Sequence, residues 1–310
     1  MAEYQGFPVN YEQLPDECRA PIDPFISQDN FKIRLKAGGT VTLDGTDMII
    51  GEPNYGKNTN AFVALDKLEL KNGARIITNG NSLTIFVNTL SSDNCSIISF
   101  QDVSSKAKIG SSGTTVGASG QAGDPGDSGG VVSIHIIESF TGRLNVNLSG
   151  QNGGDGGDGM KGSPGVQGAR GGDAADSSWP FPGCKFSGGN GAQGGIGGPG
   201  GHGGNSGNGG HGGNLYLFNV GQQPIPDVSY YFVANPGNPG TPGKGGSGGE
   251  GGSGGEGGSG STYCGGGNAG PKGPFGPKGD DGEVGKVGSN GSATVKNLDL
   301  ELVLRALPRP

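Results

Sequence analysis

Residues 188–213 read GGNGAQGGIGGPGGHGGNSGNGGHGG. Glycine falls on every third position from Gly188 to Gly203, and in most triplets a second position is glycine too. The same period runs from Gly117 to Gly129, Gly150 to Gly171, Gly237 to Gly258 and Gly267 to Gly291. A period of three with no apolar stripe matches neither an amphipathic helix, whose period is 3.6, nor a strand, whose period is 2. It matches an extended left-handed helix with three residues per turn.

Three arrangements use such a sequence. Collagen winds three chains around an axis that admits one glycine per triplet. Polyglycine II packs several helices of one chain side by side, joined by main-chain hydrogen bonds. A Gly-Ser linker stays disordered. Proline is only 20 of 310 residues against 71 glycines, about a third of the proline share of a collagen. Collagen also has no use for a second glycine, whereas a helix flanked on two of its three faces needs both bare. The third face would then carry Asp, Asn, His, Ser or Glu into water. The run GPKGPFGPKGDDGEV (270–284) has one glycine per triplet and reads as an edge helix. The sequence therefore favours an all-β fold plus polyglycine II: a parallel β-helix-like platform with a side-by-side bundle of polyglycine II helices.

Outward from the tracts, residues 1–30 are polar, proline-punctuated and read as an N-terminal arm. Residues 31–110 hold short Ile-, Val-, Leu- and Thr-rich segments parted by Asn, Gly and Asp turn signals, such as LELKNGARIITNGNSLTIFV (68–87). Their spacing suggests a β-sandwich or a β-helix-like domain, and the Asn-Gly corners favour the latter. Residues 111–310 form a glycine-rich region interleaved with β-pairs at 131–149, 214–235 and 292–306. The β-pairs would add rungs to the platform. The tracts would leave one end of it, run out, turn and return.

The net charge of −7 without basic clusters argues against nucleic acid or an anionic membrane as partner. No apolar run approaches the ~18–20 residues that span a bilayer, and the N-terminus shows no signal peptide. The expected location is extracellular, at a cell surface or in a virion. Four cysteines, Cys18, Cys95, Cys184 and Cys264, include no CxxC. They allow three pairings, or four free thiols. Cys184 and Cys264 both lie in breaks between tracts and are the favoured disulfide in an oxidising compartment.

Several motifs point to chemistry and fail on their requirements. GDSGG at 126–130 has no preceding histidine to serve as the general base of a serine protease. GEPNYGKN at 51–58 lacks the Ser/Thr that follows the lysine of a P-loop. GGDGGDGM at 153–160 is a single copy of a calcium-binding nonapeptide that works only in tandem, so Asp155 and Asp158 read as solvated. His202 and His211 share a triplet phase but stand ~28 Å apart at 3.1 Å per residue, too far to share a metal. No cofactor, metal or catalytic set is expected, and an enzyme ranks last.

The breaks carry the aromatics: Trp179, the only tryptophan, with Phe181 and Phe186 in 173–187, and Tyr263 in 261–264. They read either as ligand-binding loop residues or as end caps buried against each other. Interrupted GGx tracts with aromatic loops on a separate β region resemble the tip adhesins of T-even-like bacteriophage long tail fibres. That resemblance covers roughly 117–291. It implies a polyglycine II sandwich whose distal loops bind outer-membrane receptors. The tracts are also similar to those of snow-flea antifreeze protein and of mycobacterial glycine-rich repeat proteins. The rung sequences resemble large bacterial glycine-rich surface proteins. The expected function is non-enzymatic attachment to a cell-surface receptor or polymeric surface. The alternatives are a filament subunit that assembles with its own copies through the platform end and the N-terminal arm, and an ice-binding protein.

Overall fold

The computed structural model describes residues 39–50, 60–102, 106–219, 225 and 229–297. The expected arm at 1–30, the loop 51–58, Cys18 and the 298–306 part of the expected β-pair 292–306 lie outside these residues. The described fold is all-β, with a mostly parallel sheet and no α-helix.

The sheet has nine strands, and every pair in it is parallel. In chain order the strands among the described residues are β1 (Thr40–Asp44), β2 (Asp47–Ile49), β3 (Asn60–Lys71), β4 (Arg75–Ile77), β5 (Ser82–Ile98), β6 (Val131–Asn147), β7 (Ala175–Ser177), β8 (Gly183–Phe186), β9 (Asn214–Asn219), β10 (Tyr230–Val233) and β11 (Ala293–Asn297). One stack runs β1-β3-β5-β6-β9-β11. A second joins β2, β4, the end of β5, the end of β6 and β10. The long strands β5 and β6 therefore serve both stacks, and the pairing slips between Val87 and Thr89 and again between Asp93 and Cys95. The stretch 131–149, read from sequence as a β-pair, runs largely as one continuous strand. Corners fall on Asn72, Gly73, Asn79 and Gly80, all at positive φ, where Asn and Gly are the least strained residues.

Alternation along the strands makes the core. Leu83, Ile85 and Val87 of β5 stack on Val132, Ile134 and Ile136 of β6 and on Leu215 and Leu217 of β9, all nearly fully buried. The other side of the same strands carries a ring stack, with His135 between Phe86 and Phe218 at centroid distances of 4.2 and 4.8 Å. Burial pushes the His135 imidazole down to about 3, so it is neutral near pH 7.

The glycine-rich residues form extended tracts that lie beside one another. We number them 1 (106–116), 2 (118–129), 3 (148–174), 4 (188–213), 5 (234–260) and 6 (265–292). Tracts 1, 3 and 5 run away from the sheet in one layer, bonded in parallel: Gly110 N–H to the Asp155 carbonyl, Gly156 N–H to that of Thr241. Tracts 2, 4 and 6 return in a second layer, again parallel: Gly123 N–H to the Asn205 carbonyl, Gly203 N–H to that of Asp280. Between layers the bonds are antiparallel. At one level Gly282 donates to Gly243, Gly243 to Gly204, Gly204 to Gly157 and Gly157 to Gln121, at 2.8–2.9 Å. Contacts recur every three residues, so one face of each turn meets the same neighbour for as long as the two tracts run together.

Candidate functional site

Tracts 3 and 5 end, and tracts 4 and 6 begin, at the end away from the sheet. The two connecting loops, 175–187 and 261–264, therefore share that distal end. Tracts 3 and 5, each extended over 27 residues, hold them at the end remote from the sheet.

Each loop is built from its own short residues. β7 and β8 pair antiparallel into a hairpin. The Ser177 hydroxyl donates to the Phe181 carbonyl at 2.8 Å, with the Gly183 carbonyl 3.1 Å away, and so closes the turn between them. The Asp176 carboxylate organises the second loop. It accepts from the Ser261 hydroxyl, from Thr262 N–H at 3.1 Å and from Tyr263 N–H at 3.2 Å. A disulfide joins Cys184 of β8 to Cys264, a sequence separation of 80 residues. Cys95 is a free thiol buried in the platform. The Trp179–Pro180 bond is cis.

On this frame the aromatics point outward. Trp179 is 87% exposed, Phe181 83%, Phe186 62% and Tyr263 56%. The structure thus brings all four to one end without burying them against each other, so Trp179 and Phe181 are not core caps. Lys185 lies over the Phe186 ring, its Nζ 5.4 Å from the centroid. Sequence reasoning passed over Asp176, Ser177 and Lys185. For Asp176 and Ser177 the signal was local: short polar side chains at the ends of tracts, where main-chain groups run out of partners.

The same signal recurs along the bundle. Asn152, Asp155, Asp158 and Asp173 of tract 3 accept from the main-chain N–H of Asn238, Thr241, Lys244 and Ser259 in tract 5. Asn190, His202, Asn205, Asn208 and His211 of tract 4 do the same for tract 6. The third face carries these side chains at the surface, as expected, and there they also satisfy donors of the neighbouring tract. The Thr241 N–H, and after it Lys106, hold Asp155 below its usual carboxylate range. The Ser259 N–H, ahead of Arg170, does so for Asp173. His202 and His211 each serve a separate main-chain donor. Among the described residues no group of three His, Cys, Asp or Glu could hold a metal, and no helix is long and apolar enough to cross a membrane.

No family model matches the chain, and no curated protein matches it. Among solved structures, the nine polyproline type II helical bundle springtail antifreeze protein from Granisotoma rainieri is 24% identical over 62% of this chain and 99% of that one, with a TM-score of 0.09. A likeness at that score carries no argument.

Proposed function

We propose that this protein is a non-enzymatic attachment protein of the cell exterior or a virion: a β-helix-like platform carrying a bundle of polyglycine II helices, with adhesive loops at the far end. The polyglycine II reading is supported by main-chain hydrogen bonds that recur at nearly every third residue along the tracts. The β-helix reading is supported by parallel stacking of successive strands in two stacks. The observation that carries the function is the exposure of Trp179, Phe181, Phe186 and Tyr263 on two loops tied together by a disulfide. Large exposed aromatics on a pre-ordered frame lose little entropy on binding, and binding hot spots are enriched in Trp and Tyr.

An ice-binding face is a poorer fit. Lys161 and Glu250 pair across one outer face of the bundle and Lys272 reaches the same carboxylate, so that face is neither flat nor uncharged.

The test uses microspheres coated with the full-length protein and scored for retention on intact Gram-negative cells. Wild type is retained, and Trp179→Ala or Tyr263→Ala lowers retention about tenfold or more, with unchanged circular dichroism. Equal retention of wild type and both variants overturns the reading.

A further inference from the structure

The chemistry of the distal loops narrows what they attach to, and this step rests on the attachment reading above. The apex Trp179-Pro180-Phe181-Pro182 places two of the most exposed aromatic side chains of the described residues two positions apart in the chain. Its main chain is poor in free polar groups. Pro180 and Pro182 have no N–H. The Phe181 carbonyl is already bonded to the Ser177 hydroxyl inside the same loop. A partner rich in hydrogen-bonding groups, such as a glycan, would find few to meet here. A partner that offers apolar matter and little hydrogen bonding costs such an apex less to enter, because each unsatisfied main-chain group carried out of water is unfavourable.

Charge adds the second half. Within 175–187 and 261–264 the ionisable acid is Asp176, which is engaged by three donors of the second loop. The cation Lys185 is exposed beside the exposed Phe186. The chain as a whole is at −7, which from sequence argued against anionic membranes. Yet charges more than ~10 Å apart are largely screened at 0.1 M salt, and the platform lies at the opposite end of the tracts. An approaching surface meets the loops' own charges, Asp176 and Lys185, of which the half-buried one is Asp176 and the exposed one Lys185. Trp and Tyr are the residues that settle at the headgroup level of a bilayer, with ring apolar and N–H or O–H wet.

We infer that the distal loops bind the interface of a lipid bilayer, with Trp179 and Phe181 entering at the headgroup–acyl boundary and Lys185 meeting anionic headgroups. This is shallow insertion by side chains and differs from spanning the membrane.

Because Trp179 is the only tryptophan, its fluorescence reports on this site alone. The full chain is titrated with vesicles of phosphatidylcholine, with and without phosphatidylglycerol, and with vesicles whose acyl chains carry bromine. The expected result is a blue shift of emission, quenching by brominated chains, and tighter binding when phosphatidylglycerol is present. Phe181→Ala, which keeps the probe, weakens vesicle binding about tenfold, the scale of burying one large apolar side chain. Lys185→Ala removes the preference for phosphatidylglycerol. No shift with either vesicle, or a shift that Phe181→Ala leaves intact, overturns the lipid inference. If the microsphere assay still loses retention with Trp179→Ala in that case, attachment through these loops stands and the partner is a protein or glycan.

Discussion

His135 shows how a single residue sets a condition on the platform. It is stacked between Phe86 and Phe218, its Nε2 has no hydrogen-bond partner among the described residues, and burial alone lowers it to about 3. In the unfolded chain a histidine titrates near 6.5. Between those two values the unfolded state binds a proton that the folded state refuses. Stability is therefore complete above pH ~6.5 and falls as the pH drops towards 3, by up to about tenfold in the folded-to-unfolded ratio per pH unit. His135→Phe, which extends the ring stack, should flatten that part of the profile in urea titrations at stepped pH; an unchanged slope would exclude His135 as its source. The ladder side chains make a second residue-scale prediction. Asn205 accepts the Glu283 N–H at 2.8 Å, so Asn205→Ala should destabilise the bundle by ~0.5–1.5 kcal/mol, while Asn205→Asp, which keeps the acceptor, should cost less in the same denaturation experiment. That role was legible only in part: the triplet phase put Asn and His on the outer face, but phase alone does not tell a solvated side chain from one bonded to the next tract.

At the scale of the tract, the number of glycines per triplet follows the number of neighbours. Tract 4 touches tracts 2, 3, 5 and 6 and is doubly glycine through most of its length. Tract 6 touches only tracts 4 and 5, carries one glycine per triplet, and lies at the edge, where the sequence put it. Tract 3 changes along its length. It has paired glycines at 153–154 and 156–157, where tract 1 lies alongside, and single ones from Gly159 to Gly168, beside and beyond the turn at Gly117 that joins tract 1 to tract 2. A Cβ on Gly154 or Gly157 would sit 2.1 Å from a tract 1 carbonyl oxygen. The open edge of tracts 5 and 6 is covered by side chains, as exposed edges commonly are: the Asp281 carboxylate takes the Gly245 N–H, and Lys272 reaches Glu250. Gly197→Ala, whose Cβ would lie 2.0 Å from the Gly249 oxygen, should abolish bundle folding, whereas Gly172→Ala, with nothing within 4 Å, should fold normally. Thermal unfolding of the pair checks this, and equal midpoints would contradict the close packing. Which tract neighbours which was not legible, because glycine triplets are nearly identical and register is fixed by where β6, β9, β10 and β11 hold the tract ends.

At the scale of the whole molecule, a conventional apolar core is confined to the platform, and the rest is held by main-chain hydrogen bonds between tracts. Composition announced that division, since 30% hydrophobic content cannot build a core throughout. The aromatics at the breaks announced the distal end. What the sequence left open was whether those rings turn inward or outward, because that depends on the Asp176 and Ser177 contacts that fix both loops. The central claim is that the tracts form one hydrogen-bonded bundle, and amide hydrogen exchange resolved at single glycines tests it most directly. The account predicts a pattern in phase with the triplets. Gly156, Gly157, Gly204 and Gly243, whose N–H groups are bonded to neighbouring tracts, exchange slowly. Gly248 and Gly254, whose N–H groups have no partner among the described residues, exchange fast although they lie in the same tract as Gly243. Uniformly rapid exchange across 150–290 would contradict it.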